Sequence, residues 1–161
     1  MCYDQAIITL LGEFMSTLIH QRVTAARAGD NPTVICQMPS GWAVLCDVQF
    51  LRGYSLLLPD PVVPDLNALD REHRAQYLLD MATIGDALLE VTGAFRINYE
   101  ILGNLDPALH AHIIPRYMTE PENLRTGPAF FYEKEFRNSI RFDYERDKEL
   151  MRQLAAAMRM H

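Results

Sequence analysis

The stretch Gly103-Asn104-Leu105-Asp106-Pro107-Ala108-Leu109-His110-Ala111-His112-Ile113-Ile114-Pro115-Arg116-Tyr117 constrains this chain more than any other. In an extended strand, side chains two residues apart share a face. Residues 109–117, read this way, project His110 and His112 together and send Leu109, Ala111 and Ile113 into the opposite layer. Such a strand needs a sheet with one packed apolar face and a second face that tolerates two imidazoles. A second strand-like run, residues 96–102, precedes it across the short connection 103–107. Only antiparallel strands can be joined so briefly.

The rest of the chain supplies matching layers. Over residues 6–27, apolar side chains at Ile7, Leu11, Phe14, Leu18 and Ile19 predict a helix with one inward face, stopped by Gly29 and Pro32. Residues 33–38, 42–48 and 54–58 read as strands. Three prolines make 59–64 irregular. A long helix is predicted over 70–91, with Leu78, Met81, Ile84, Leu88 and Val91 as its buried stripe. Asn67 or Asp70 would cap it, and Gly93 would end it. Residues 121–136 read as an aromatic loop, and a last helix is expected over 144–160. The sum is α+β: a mostly antiparallel sheet, a long helix packed on it, and further helices at both ends.

At 161 residues the chain is one domain, and 49% hydrophobic content suffices for a core. Fifteen Lys and Arg against 21 Asp and Glu leave a net charge of −6. That argues against nucleic acid and against anionic membrane as partners, because both call for a basic face. A small phosphate-bearing ligand needs only local donors and is still allowed. Cys2, Cys36 and Cys46 have no CxxC spacing, which argues against a disulfide framework and a thiolate zinc cluster. Reduced thiols, an N-terminus carrying Asp4 and Glu13, and the lack of an 18-residue apolar run give the expectation of a cytoplasmic protein.

By itself, His110 with His112 is either a satisfied polar pair on a half-exposed strand or half of a metal site. The surrounding residues narrow this. The run from Ala108 to Arg116, with Leu102-Gly103-Asn104 upstream, resembles the histidine triad (HIT) family of nucleotide hydrolases and transferases, whose signature alternates three histidines with apolar residues and often ends in Pro-Arg. With Pro115-Arg116 on that Pro-Arg, His112 is the third histidine, His110 the middle one and Ala108 stands where the first would be. The other register makes His110 first and His112 middle. Upstream, residues 43–69 are similar to the family segment of strand, acidic residue, loop, Gly-His, strand and Pro, with Tyr54 in place of the histidine. The resemblance covers roughly residues 42–117. The helix at 6–27 and residues 120–161 are additions to it.

The resemblance implies a HIT-like fold and a homodimer whose sheets join across a two-fold axis. It implies a nucleotide phosphohydrolase or nucleotidyl transferase acting at an α-phosphate, with dinucleoside polyphosphates among its substrates. His110 is the implied nucleophile, and it would form a covalent nucleotidyl-histidine that water then cleaves. Neutral imidazole, with an ordinary pKa near 6.5, suits that task at pH 7. His112, the Asn104 amide and backbone N–H groups around Gly103 are the donors for the phosphate oxygens. Asp47 falls where the family binds ribose. Asn98 either lines the phosphate site or is a solvated strand residue. Arg116 either touches phosphate or lies on the surface. Trp42 and Phe130-Phe131-Tyr132 read as packing, and His20, His73 and His161 as surface. No cofactor and no metal are called for. The competing readings are a nucleotide-binding module that does not turn over, and a metal protein using the histidine pair.

Overall fold

Thr17 opens the first helix of the part of the chain that the computed structural model describes, residues 16–160. Its hydroxyl accepts from His20 N–H, and helix α1 runs Leu18–Ala28. Gly29, at φ 79°, ends it in the left-handed conformation that suits a residue without Cβ. Of the helix expected over 6–27, the part before residue 16, with Ile7, Leu11 and Phe14, lies outside the described residues. Ile19, Val23 and Ala26 face inward. Leu18, expected inside, is exposed.

Five strands follow: β1 Val34–Met38, β2 Gly41–Leu45, β3 Ser55–Pro59, β4 Arg96–Glu100 and β5 Ala111–Arg116. They form one sheet in the order β1-β2-β3-β5-β4, and every neighbouring pair is antiparallel. Between β3 and β4 comes the long helix α2, Arg71–Thr92. Asp70 is its cap, accepting from His73 N–H at 2.9 Å, and Gly93 at φ 70° is its end. Of the expected stripe of α2, Ile84 and Leu88 are buried and Met81 and Val91 pack partly buried against the same core, while Leu78 gives way to Tyr77. Tyr77 is sealed in and donates its hydroxyl to Leu57 O at 2.9 Å, while Leu78 is 38% exposed.

The sheet has two packed faces. One carries Ala43, Leu45, Leu57, Leu109, Ala111 and Ile113 against Tyr77, Ile84 and Leu88 of α2. Leu150 and Leu154 of the last long helix, Tyr144–Met158, join that layer. The other face carries Val44, Leu56, Leu58 and Ile114 against Ile19 and Val23 of α1. The remainder of that second face is closed by a segment expected to be loop. It forms three short turns: helix α3 Glu122–Arg125, a 3₁₀ turn Ala129–Phe131 and helix α4 Lys134–Arg137. The helix over Tyr144–Met158 is α5. Ala129 and Tyr132 enter the core beside Phe50 and Tyr54, so aromatic burial holds the turns on the sheet.

Candidate active site

Strand β5 places His112 opposite Leu56 of β3 and Glu100 of β4. Its face is the second one, under α1 and the 121–137 turns, because Ala111 and Ile113 on either side belong to the first core. The alternation read from the sequence therefore holds. His110, just before the strand, shares that face, and the two rings stand 4.9 Å apart at 69°.

Each ring is oriented by one hydrogen bond on Nδ1. For His110 the partner is Ala108 O at 2.8 Å. A carbonyl can only accept, so the proton sits on His110 Nδ1 and the lone pair on Nε2. For His112 the partner is the Tyr54 hydroxyl at 2.6 Å. Burial drives the His112 pKa down to about 4, and the neighbouring His110 adds to the effect, so the ring is neutral at pH 7. Burial also raises the Tyr54 phenol well above its ordinary value, so it keeps its proton. Assigned from this network, Tyr54 donates to His112 Nδ1 and leaves an N–H on His112 Nε2. The pair thus presents one bare nitrogen and one donor.

Two residues that the sequence reading did not assign complete the surroundings. Glu100 lies across from His112, and burial raises its carboxyl pKa. Its two-residue spacing from Asn98 was the available signal. Phe130, read only as packing, sets its ring edge-on to His112, with centroids 5.9 Å apart.

The other expected residues are placed differently. Arg116, expected at phosphate or on the surface, is fully buried. Its Nε and Nη2 donate to Glu120, its Nη1 to Asn98 Oδ1 and Gly127 O, and its Nη2 also to Leu124 O. All five N–H donors are spent, so it holds the 120–127 segment to the sheet and has none left for a phosphate. Asn98 is half-buried on β4, and its side-chain oxygen accepts from Arg116. Gly103 adopts φ 73° in the loop between β4 and β5, and Asn104 is exposed there. Neither hydrogen-bonds His110 or His112. Asp47 stands past the end of β2, half-exposed and ion-paired with Arg22 of α1, in a groove with Leu18, Thr33 and Phe142. No group of three or more His, Cys, Asp and Glu side chains among the described residues is arranged to hold a metal. No helix among them is long and apolar enough to cross a membrane.

No protein-family model and no curated protein matches the sequence. Solved structures do resemble it. A histidine triad protein from Marinobacter aquaeolei superposes with a TM-score of 0.69 at 19% identity, over 89% of this chain and 97% of the other. A hypothetical histidine triad nucleotide-binding protein from Sulfolobus tokodaii gives 0.67 at 14% identity, over 87% and 92%. A histidine triad protein from Sinorhizobium meliloti gives 0.63 at 21%, over 77% and 87%. With its five-stranded antiparallel sheet and His110 and His112 alternating at the start of β5, the chain has the fold of the histidine triad proteins.

Proposed function

We propose that this chain is a histidine triad family enzyme that acts on nucleotides at the α-phosphate, with dinucleoside polyphosphates among its substrates. The bond from His110 Nδ1 to Ala108 O carries this reading. It does from the backbone what a first triad histidine would do from a side chain, which is to fix the tautomer of the nucleophile. His110 Nε2 attacks phosphorus as the bond to the leaving phosphate breaks. Water then attacks the same phosphorus, the P–N bond breaks, and the nucleotide is released with His110 restored. His112 Nε2–H stabilises charge on a non-bridging oxygen. Backbone N–H groups around Gly103, with Asn104, approach the same oxygens, and Asp47 takes the ribose.

The test is a single turnover with diadenosine triphosphate, quenched in base and read by mass spectrometry. An adenylylated peptide containing His110 is expected, together with released AMP. Its absence, with nucleotide retained unchanged, favours the alternative, a binding module that does not turn over. That alternative has one observation behind it: Ala108 is sealed in the core, so a methyl group and no imidazole occupies the first triad position. Tyr54→Phe removes the bond that orients His112, and a fall in kcat of about tenfold is expected, the effect of roughly one net hydrogen bond. Unchanged kcat would remove Tyr54 from the scheme.

Assembly follows from the same reading. Strand β4 is one edge of the sheet, and Phe95 and Tyr99 are exposed along it. Such an edge invites pairing with a second copy. Light scattering at micromolar concentration should give about twice the chain mass, and a monomer mass would overturn the dimer.

A further inference from the structure

The turns after Tyr117 do more than cover the histidine face. Phe130 touches two groups, the His112 ring and the Arg137 guanidinium. The Arg137 Cζ lies over its ring, 5.3 Å from the centroid. Among the described residues no hydrogen bond and no ion pair takes this guanidinium, and its Nε is shut away from solvent without an acceptor. Glu133 and Glu135, the acidic residues next to it in sequence, are exposed. A buried N–H left unpaired costs free energy, and a cation stacked on an aromatic ring keeps its in-plane donors open. The positive charge also reaches the site, since Arg137 acts to lower the Tyr54 phenol pKa against the larger effect of burial.

Resting on the nucleotide reading above, we infer that Arg137 is a phosphate-binding residue of this site, its guanidinium taking non-bridging oxygens of the nucleotide's phosphate chain beside His112. Arg116, the arginine of the strand motif, is spent on structure. Arg137 puts a cation back on the histidine face from outside the stretch that resembles the family. A planar fork suits phosphate oxygens two at a time. Phe130 then has a definite part, holding the guanidinium over the face without neutralising it.

Calorimetry with adenosine, AMP and ADP on the wild type, Arg137→Gln and Arg137→Lys tests this. The Gln variant should lose at least tenfold in affinity for AMP and ADP and stay within about twofold for adenosine. The Lys variant, which keeps the charge but not the fork, should fall between. Wild-type affinity of Arg137→Gln for AMP and ADP overturns the inference while leaving the proposed function standing. Equal losses for adenosine and AMP also overturn it, because Arg137 would then act by holding Phe130 in place. A wild type that binds none of the three overturns the nucleotide reading, and this inference with it.

Discussion

His110→Ala should abolish turnover, by a factor on the order of 10⁴ or more, and leave no covalent nucleotide on the protein. The two imidazoles are 4.9 Å apart, yet their environments make them unequal. His110 has its Nδ1 proton anchored on Ala108 O, so its Nε2 lone pair is the nucleophilic one. His112 is half-buried with its pKa driven down, and its Nδ1 is engaged by Tyr54. Removing His112 deletes one donor to the developing charge, and a loss of roughly 10²–10³ is expected with the adduct still detectable. The contrast between the variants decides the triad register. A nucleotidyl adduct that persists in His110→Ala at wild-type level would make His112 the nucleophile. The low pKa of His112 adds a stability term with a definite sign. Its unfolded value near 6.5 lies above its folded value of about 4, so the unfolded chain binds the extra proton first. Neutral His112 therefore costs nothing above about pH 6.5, and folding weakens as pH falls from there towards 4.

What could be read from the sequence was what is local. The two-residue period at His110 and His112 set the strand, its faces and the apolar layer of Ala111 and Ile113, because side-chain direction in a strand depends only on position. The caps of α2 were legible for the same reason: Asp70 and Gly93 act within one turn. Harder to see were pairings that only the fold brings about. Tyr54 meets His112 across 58 residues, and nothing in its neighbours announces that. Arg116 read as a phosphate contact or a surface residue because Arg usually stays in water, and its burial depends on Glu120 and the carbonyls of a later turn. Residues 121–136 read as loop because Pro121, Gly127 and Pro128 break regular structure. They do break it, into short turns that burial of Ala129 and Tyr132 then holds to the sheet. For α2, apolar spacing pointed to Leu78, but the buried position belongs to its neighbour Tyr77, whose hydroxyl donates to Leu57 O.

Arg116→Met should cost about 3–5 kcal/mol of folding stability, the usual penalty for leaving one member of a buried ion pair alone. The pair is nearly dry, with side chains 2% and 4% exposed and Arg116 Nη2 2.9 Å from Glu120 Oε2. The Glu120 carboxylate also accepts from Tyr117 N–H at 2.6 Å and from the Tyr132 hydroxyl at 2.9 Å. Burial by itself would raise the Glu120 pKa, but these donors outweigh it and hold the carboxyl below its ordinary value. The sign of the pH dependence follows. A carboxyl with a depressed folded pKa contributes stability that is fully present above its unfolded value near 4.3 and is lost as pH falls through the folded value. The gap between wild type and Arg116→Met should therefore be widest near pH 7 and narrow below about pH 4. Thermal melts at the two pH values measure it, with roughly 2–4 °C of Tm lost per kcal/mol in a chain of this size. A paired change, Arg116→Met with Glu120→Leu, should cost less than Arg116→Met alone, since it removes the stranded carboxylate. Were the single variant as stable as wild type at pH 7, the pair would not be what pins the 120–137 turns, and the hold on Phe130 and Arg137 would have to come from aromatic packing alone.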